Sequence, residues 1–134
     1  MASVKTYKVD KRPKSQSGWT RNKPATRYAR SKLVSKCGST CFLLPSGTPA
    51  RPNVPAYPIC VDLTLSKGRC VLSCPGLEAA FKRLRMGIAH YKYPEGYIDK
   101  LRVLSNHAIK LAREHADPSD PTNTCNWSLR AKHL

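Results

Sequence analysis

The sequence predicts a mainly α domain behind an extended basic N-terminal arm. Three observations predict it. Positive charge gathers at the start of the chain, where large aliphatic side chains are scarce. Proline and cysteine gather in the middle. Two stripes of apolar residues at helical spacing fill the second half.

The arm spans residues 1–36. It holds 11 Lys and Arg against the single acid Asp10, so ten of the sixteen net positive charges lie in about a quarter of the 134 residues. Val4, Val9, Leu33 and Val34 are its large aliphatics. A segment of that kind buries too little apolar surface to offset its ordering entropy, which predicts an extended chain that becomes ordered on a partner. Tyr7, Trp19 and Tyr28 punctuate it as candidate anchors. With Arg12, Arg21, Arg27 and Arg30 they form the candidate partner-binding set.

Residues 37–74 open the second unit, which runs to 116, and hold five of the six cysteines. Pro49, Pro52, Pro55 and Pro58 enforce extended backbone. Val61-Asp-Leu-Thr-Leu65 alternates as a strand does, Ser66-Lys-Gly reads as a turn, and Arg69 to Ser73 reads as the returning strand. Ser73-Cys-Pro75 then signals a helix start, with Ser73 as cap and Glu78 near the positive end. Leu77, Phe81, Leu84 and Ile88 mark one face, and Lys82, Arg83 and Arg85 lie off it. Tyr91 to Gly96 interrupts. A second helix carries Tyr97, Leu101, Leu104, Ala108, Leu111 and His115 on its inner face and stops before Asp117-Pro-Ser-Asp-Pro121. Two such helices on a short link predict an antiparallel pair. Residues 117–134 are a short tail with Cys125 and Trp127.

The cysteines admit three readings. Cys37, Cys41, Cys70 and Cys74 form two pairs with three residues between partners, a donor set for a structural zinc. Cys37, Cys41, Cys60, Cys70 and Cys74 are equally disulfide candidates, each bridge contributing about 2–4 kcal/mol. Reduced, buried thiols are the third reading. The start of the chain lacks the apolar run of a secretory signal, so synthesis in the cytosol is expected, where thiols stay reduced by default. No window approaches the ~20 apolar residues of a membrane span.

Nothing in the chain signals catalysis. The histidines His90, His107, His115 and His133 have no companion nucleophile pattern. Asp117 and Asp120 flank prolines as turn formers do. Gly-rich phosphate loops and His-Glu-x-x-His are absent. No small-molecule substrate or cofactor is expected beyond the zinc option. The net charge of +16 instead calls for an acidic partner: nucleic acid, an anionic membrane or an acidic protein surface. No base-reading motif accompanies it, and the helix pair lacks the tight turn of a helix-turn-helix. Trp19 and Tyr28 suit protein pockets better than a duplex backbone.

Cys41-Phe-Leu-Leu-Pro45, Tyr57-Pro-Ile-Cys60 and Gly76-Leu-Glu-Ala-Ala-Phe-Lys-Arg-Leu-Arg85 cover about a third of the chain. In these stretches it resembles a family of small basic proteins of nucleocytoplasmic large DNA viruses, including the algal and amoebal giant viruses. The resemblance implies a virion component without catalytic activity. It also implies a viral thiol oxidase, so that disulfides form in the cytosol, with Cys41, Cys60 and Cys70 or Cys74 as structural cysteines. The expectation is a minor capsid protein, made in the host cytoplasm and built into the virion, whose arm cements major and minor capsid neighbours. A membrane at the inner capsid face is a further compatible contact. The alternative is a basic packaging protein that binds nucleic acid.

Overall fold

The computed structural model describes residues 8–13, 19, 23–63, 69–90 and 95–132. Among them the chain is mainly α, with four α-helices and five short strands. The order is β1 (Lys8–Asp10), α1 (Arg27–Cys37), a 3-10 turn (Ser39–Cys41), β2 (Phe42–Leu44), β3 (Ala56–Pro58), β4 (Cys60–Leu63), β5 (Arg69–Ser73), α2 (Cys74–His90), α3 (Glu95–His115), a 3-10 turn (Thr124–Asn126) and α4 (Trp127–Arg130). No described helix is long and apolar enough to cross a membrane.

β4 and β5 pair antiparallel, with Cys60 opposite Leu72 and Leu63 opposite Arg69. The turn expected at residues 66–68 lies outside the described residues. β5 runs directly into α2, where the Ser73 hydroxyl accepts the Gly76 N–H at 3.1 Å, the cap that the sequence signals. On α2 the buried face is Leu77, Ala80 and Leu84, with Phe81 and Ile88 half-buried. On α3 it is Leu101, Leu104, Ser105, Ala108, Ile109, Leu111 and Ala112, broader than the predicted stripe. Tyr97 and His115, placed on that face by their spacing, are half-buried. These faces join Phe42, Leu44, Ile59 and Leu72 in one core.

The N-terminal stretch departs from expectation. An extended arm over residues 1–36 is not what its described part forms. β1 adds a parallel strand to β5, Lys8 opposite Val71 and Asp10 opposite Ser73, giving the sheet order β1-β5-β4. Residues 27–37 are helical. Thr26 caps α1 by accepting the Ala29 N–H at 3.1 Å, and Gly38 ends it at φ 93°, a conformation that favours glycine. Val9, Trp19, Leu33 and Cys37 insert into cores that other segments supply. The segment has too few apolar residues for a core of its own and becomes ordered by sharing the core of the rest of the chain.

All six cysteines are bridged: Cys37–Cys70, Cys41–Cys60 and Cys74–Cys125, with Cα–Cα distances of 5.7, 5.1 and 4.8 Å. The zinc reading of Cys37, Cys41, Cys70 and Cys74 is corrected accordingly. Their sulfurs belong to three different bridges, and no group of three or more His, Cys, Asp or Glu converges among the described residues. The bridges form two covalent loops in tandem. Cys37–Cys70 encloses Cys41–Cys60, and Cys74–Cys125 closes the second.

Candidate functional site

The candidate site is a cationic groove between the outer side of α2 and the C-terminal segment. α2 presents Phe81, Lys82 and Arg85 at i, i+1 and i+4; Phe81 lies at the edge of the buried stripe of Leu77 and Leu84, and the two cations lie outward of it. The opposite wall is Trp127, Arg130 and Lys132.

That wall is held in several ways. Cys125 is tied to Cys74 at the start of α2. The Phe81 and Trp127 rings pack with centroids 4.8 Å apart and tilted by 35°, a favourable aromatic geometry. From α3, Arg113 Nε donates to the Ser128 carbonyl at 3.0 Å and Nη2 to the Ala131 carbonyl at 2.9 Å. The approach from α3 is equally ordered. The Asn123 side chain donates to the His115 carbonyl at 2.8 Å and accepts the Cys125 N–H at 2.9 Å. Asn126 accepts the Asp117 N–H and donates to the Asp117 and Asp120 carbonyls at 2.8–3.0 Å. Asp117 and Asp120 each accept the backbone and hydroxyl of the residue two ahead. These are the turn roles that their proline flanks signal.

The groove encloses about 400 Å³. Lys82, Arg85, Arg130 and Lys132 line it against one acid, Glu78. Glu78 meets Lys82 only at 3.8 Å, and an exposed pair of that kind is worth little. Arg85 lies 5.3 Å over the Phe81 ring. Arg130 and Lys132 make no ion pair among the described residues. Trp127 is 7% exposed, and its Nε1–H meets no acceptor among the described residues. A second concavity adjoins it, sharing Glu78, Trp127 and Arg130 and adding Pro118, Pro121 and Leu129.

The residues expected to bind a partner are dispersed. Tyr7 and Arg21 lie outside the described residues. Arg12 turns back on Asp10, its Nε and Nη2 donating to the two carboxylate oxygens at 3.0 and 2.9 Å; that charge-assisted fork raises the Arg12 pKa. Trp19 is 4% exposed, so the expectation that it fills a neighbour's pocket gives way to a contact inside the chain. Its ring lies so close to Gly76 that a Cβ there would stand 2.7 Å from Cζ3. Arg30 donates to the Pro24 and Pro55 carbonyls at 3.1 and 3.0 Å. Arg27 is exposed, and Tyr28 is 75% exposed beneath the Lys32 ammonium. The groove leaves little local sequence pattern, because its two walls are about 45 residues apart and meet through the Cys74–Cys125 bridge and the Phe81–Trp127 contact. Trp127 beside Cys125 was the one local signal.

No protein-family model, curated protein or solved structure matches this chain. Residues 41–45, 57–60 and 76–85 converge in the fold. The Cys41–Cys60 bridge, the pairing of Phe42 with Pro58 and a 2.9 Å bond from the Ile59 N–H to the Cys41 carbonyl join the first two. Leu77, Ala80 and Leu84 of the third pack in the same core. The third stretch also supplies Glu78, Phe81, Lys82 and Arg85 to the groove.

Two histidines give the domain a pH response. Burial lowers the pKa of His107, with Lys110 adding to the effect and Glu114 opposing it. Burial lowers that of His115 as well, against Glu114. A base whose folded pKa lies below the unfolded value, 6.5 here, binds fewer protons when folded. Stability therefore falls as pH drops below about 6.5 and levels off once both histidines are protonated in the fold. Melting curves from pH 8 to pH 5 should show that decline, and a His107→Gln/His115→Gln variant should flatten it.

Proposed function

We propose that this chain is a structural, non-catalytic component of the capsid of a large icosahedral DNA virus, where it joins neighbouring capsid proteins. One observation carries the reading: three disulfides staple a small, strongly cationic domain whose charged walls are held rigidly. A preformed cationic surface suits a scaffold that meets acidic partners. Complete pairing of the cysteines suits a particle assembled with its own thiol oxidase, as the resemblance implies. The described part of the N-terminal stretch belongs to the domain. The cement role therefore falls to the domain surface, with the cations of α1 alongside.

The test is cross-linking with mass spectrometry on purified particles from the native source. The chain should co-purify with the major capsid protein below its copy number and cross-link to it or to minor capsid proteins through Lys32, Lys36 or Lys82. Its absence from particles would remove the reading.

A second reading, nucleic-acid packaging, is favoured by α1, which carries Arg27, Arg30, Lys32 and Lys36 and no acid. Duplex DNA binding with a log–log salt slope of several units would support it.

A further inference from the structure

We infer that the groove between α2 and the C-terminal segment binds an acidic peptide segment of a partner protein, with an apolar residue of that segment set against Phe81 and Trp127. The inference deepens the scaffold reading and rests on it for the class of partner.

Three features select this occupant. The first is charge. Four cations face Glu78 alone in one concavity, and Arg130 and Lys132 have no ionic partner of their own among the described residues. Arginine at such a site takes carboxylates in forked geometry. A second copy of the chain, also at +16, would be repelled.

The second is the aromatic floor. Single-stranded nucleic acid is held on open ring faces, where bases stack. Here Phe81 is covered by Trp127 at 4.8 Å and by Arg85 at 5.3 Å, and Trp127 is 7% exposed. Rings so covered offer little open face for stacking, which favours an aliphatic side chain over a base.

The third is size and rigidity. About 400 Å³ accommodates a few side chains of an extended segment. The Cys74–Cys125 bridge and the Arg113 bonds to the Ser128 and Ala131 carbonyls fix the wall before any partner arrives. A preformed wall reduces the ordering that binding requires.

The probe is a short fluorescein-labelled peptide of alternating Glu and Leu, followed by anisotropy at about 0.15 M salt, where distant charges are screened. The protein is the full oxidised chain. Arg85→Glu/Arg130→Glu should weaken binding about tenfold or more. Lys100→Glu/Lys110→Glu reverses the same number of exposed charges on α3 and should change it less than about twofold. Circular dichroism confirms that each variant is folded. Equal losses in the two variants, or no binding by the parent chain, would overturn the inference. Tighter binding of a thymidine oligonucleotide of matched charge, lost in the groove variant alone, would also overturn it and assign the groove to nucleic acid. Failure of the peptide arm leaves particle cross-linking unaffected, so the two readings fall separately.

Discussion

Replacing Cys74 and Cys125 together by alanine is expected to lower the midpoint of thermal unfolding by about 10–20 °C. The bridge closes a loop of 51 residues. By loop-closure entropy alone its absence frees the unfolded chain by about 4 kcal/mol, in a molecule whose whole stability is of order 5–15 kcal/mol. Both cysteines are fully buried, so loss of their sulfurs adds a packing defect. The measurement is calorimetry on the oxidised parent and the variant. A loss under about 1 kcal/mol would mean that the asparagine bonds, Arg113 and the Phe81–Trp127 contact hold the C-terminal turn unaided. The same variant should lose affinity for an acidic peptide, because the bridge carries one wall of the groove.

Trp19→Ala is expected to cost about 3–5 kcal/mol, the range for truncating a buried aromatic residue. Trp19 forms a small core with Val61 and Val71, against Ala79. Its removal should detach the N-terminal stretch, which limited trypsin digestion reads as new cleavage after Lys23, Arg27 or Arg30. Gly76→Ala is the complementary test from the other side of the contact. The added methyl would meet the ring at 2.7 and 2.9 Å, so the indole must shift. Overpacking of that kind costs about 1–3 kcal/mol, against about 1 kcal/mol gained in helix propensity. The indole emission should move to the red. If Trp19→Ala left both the melting temperature and the digestion pattern unchanged, docking of the N-terminal stretch through this ring would be refuted.

The helices were legible because their signals are local. The Ser73 cap, Pro75 and the apolar spacing of Leu77, Leu84, Leu101, Leu104 and Ala108 speak for themselves, and the strand after Cys60 shows its alternation. The N-terminal fold was not legible by the same means. Charge density there predicts disorder, and the few apolar residues that decide otherwise act through a core laid down 40 to 80 residues later. Thr26 and Gly38 cap the two ends of α1, but residues of these types are too common in loops to predict a helix against such a charge density. Cysteine pairing is a long-range property that spacing does not reveal, and the groove shares that opacity because Cys74–Cys125 helps to join its walls.

The tandem arrangement of the bridges has a mechanical consequence. If the oxidised chain were unfolded and drawn out under load, tension would cross from Cys37 to Cys70 and from Cys74 to Cys125 through sulfur. Only residues 8–37, 70–74 and 125–132 would bear it, about 40 residues or ~140 Å of contour at ~3.5 Å each. Without bridges the same span would reach ~440 Å. A chain so bridged stays short under load even when its fold is lost, and it yields length only if a disulfide is reduced.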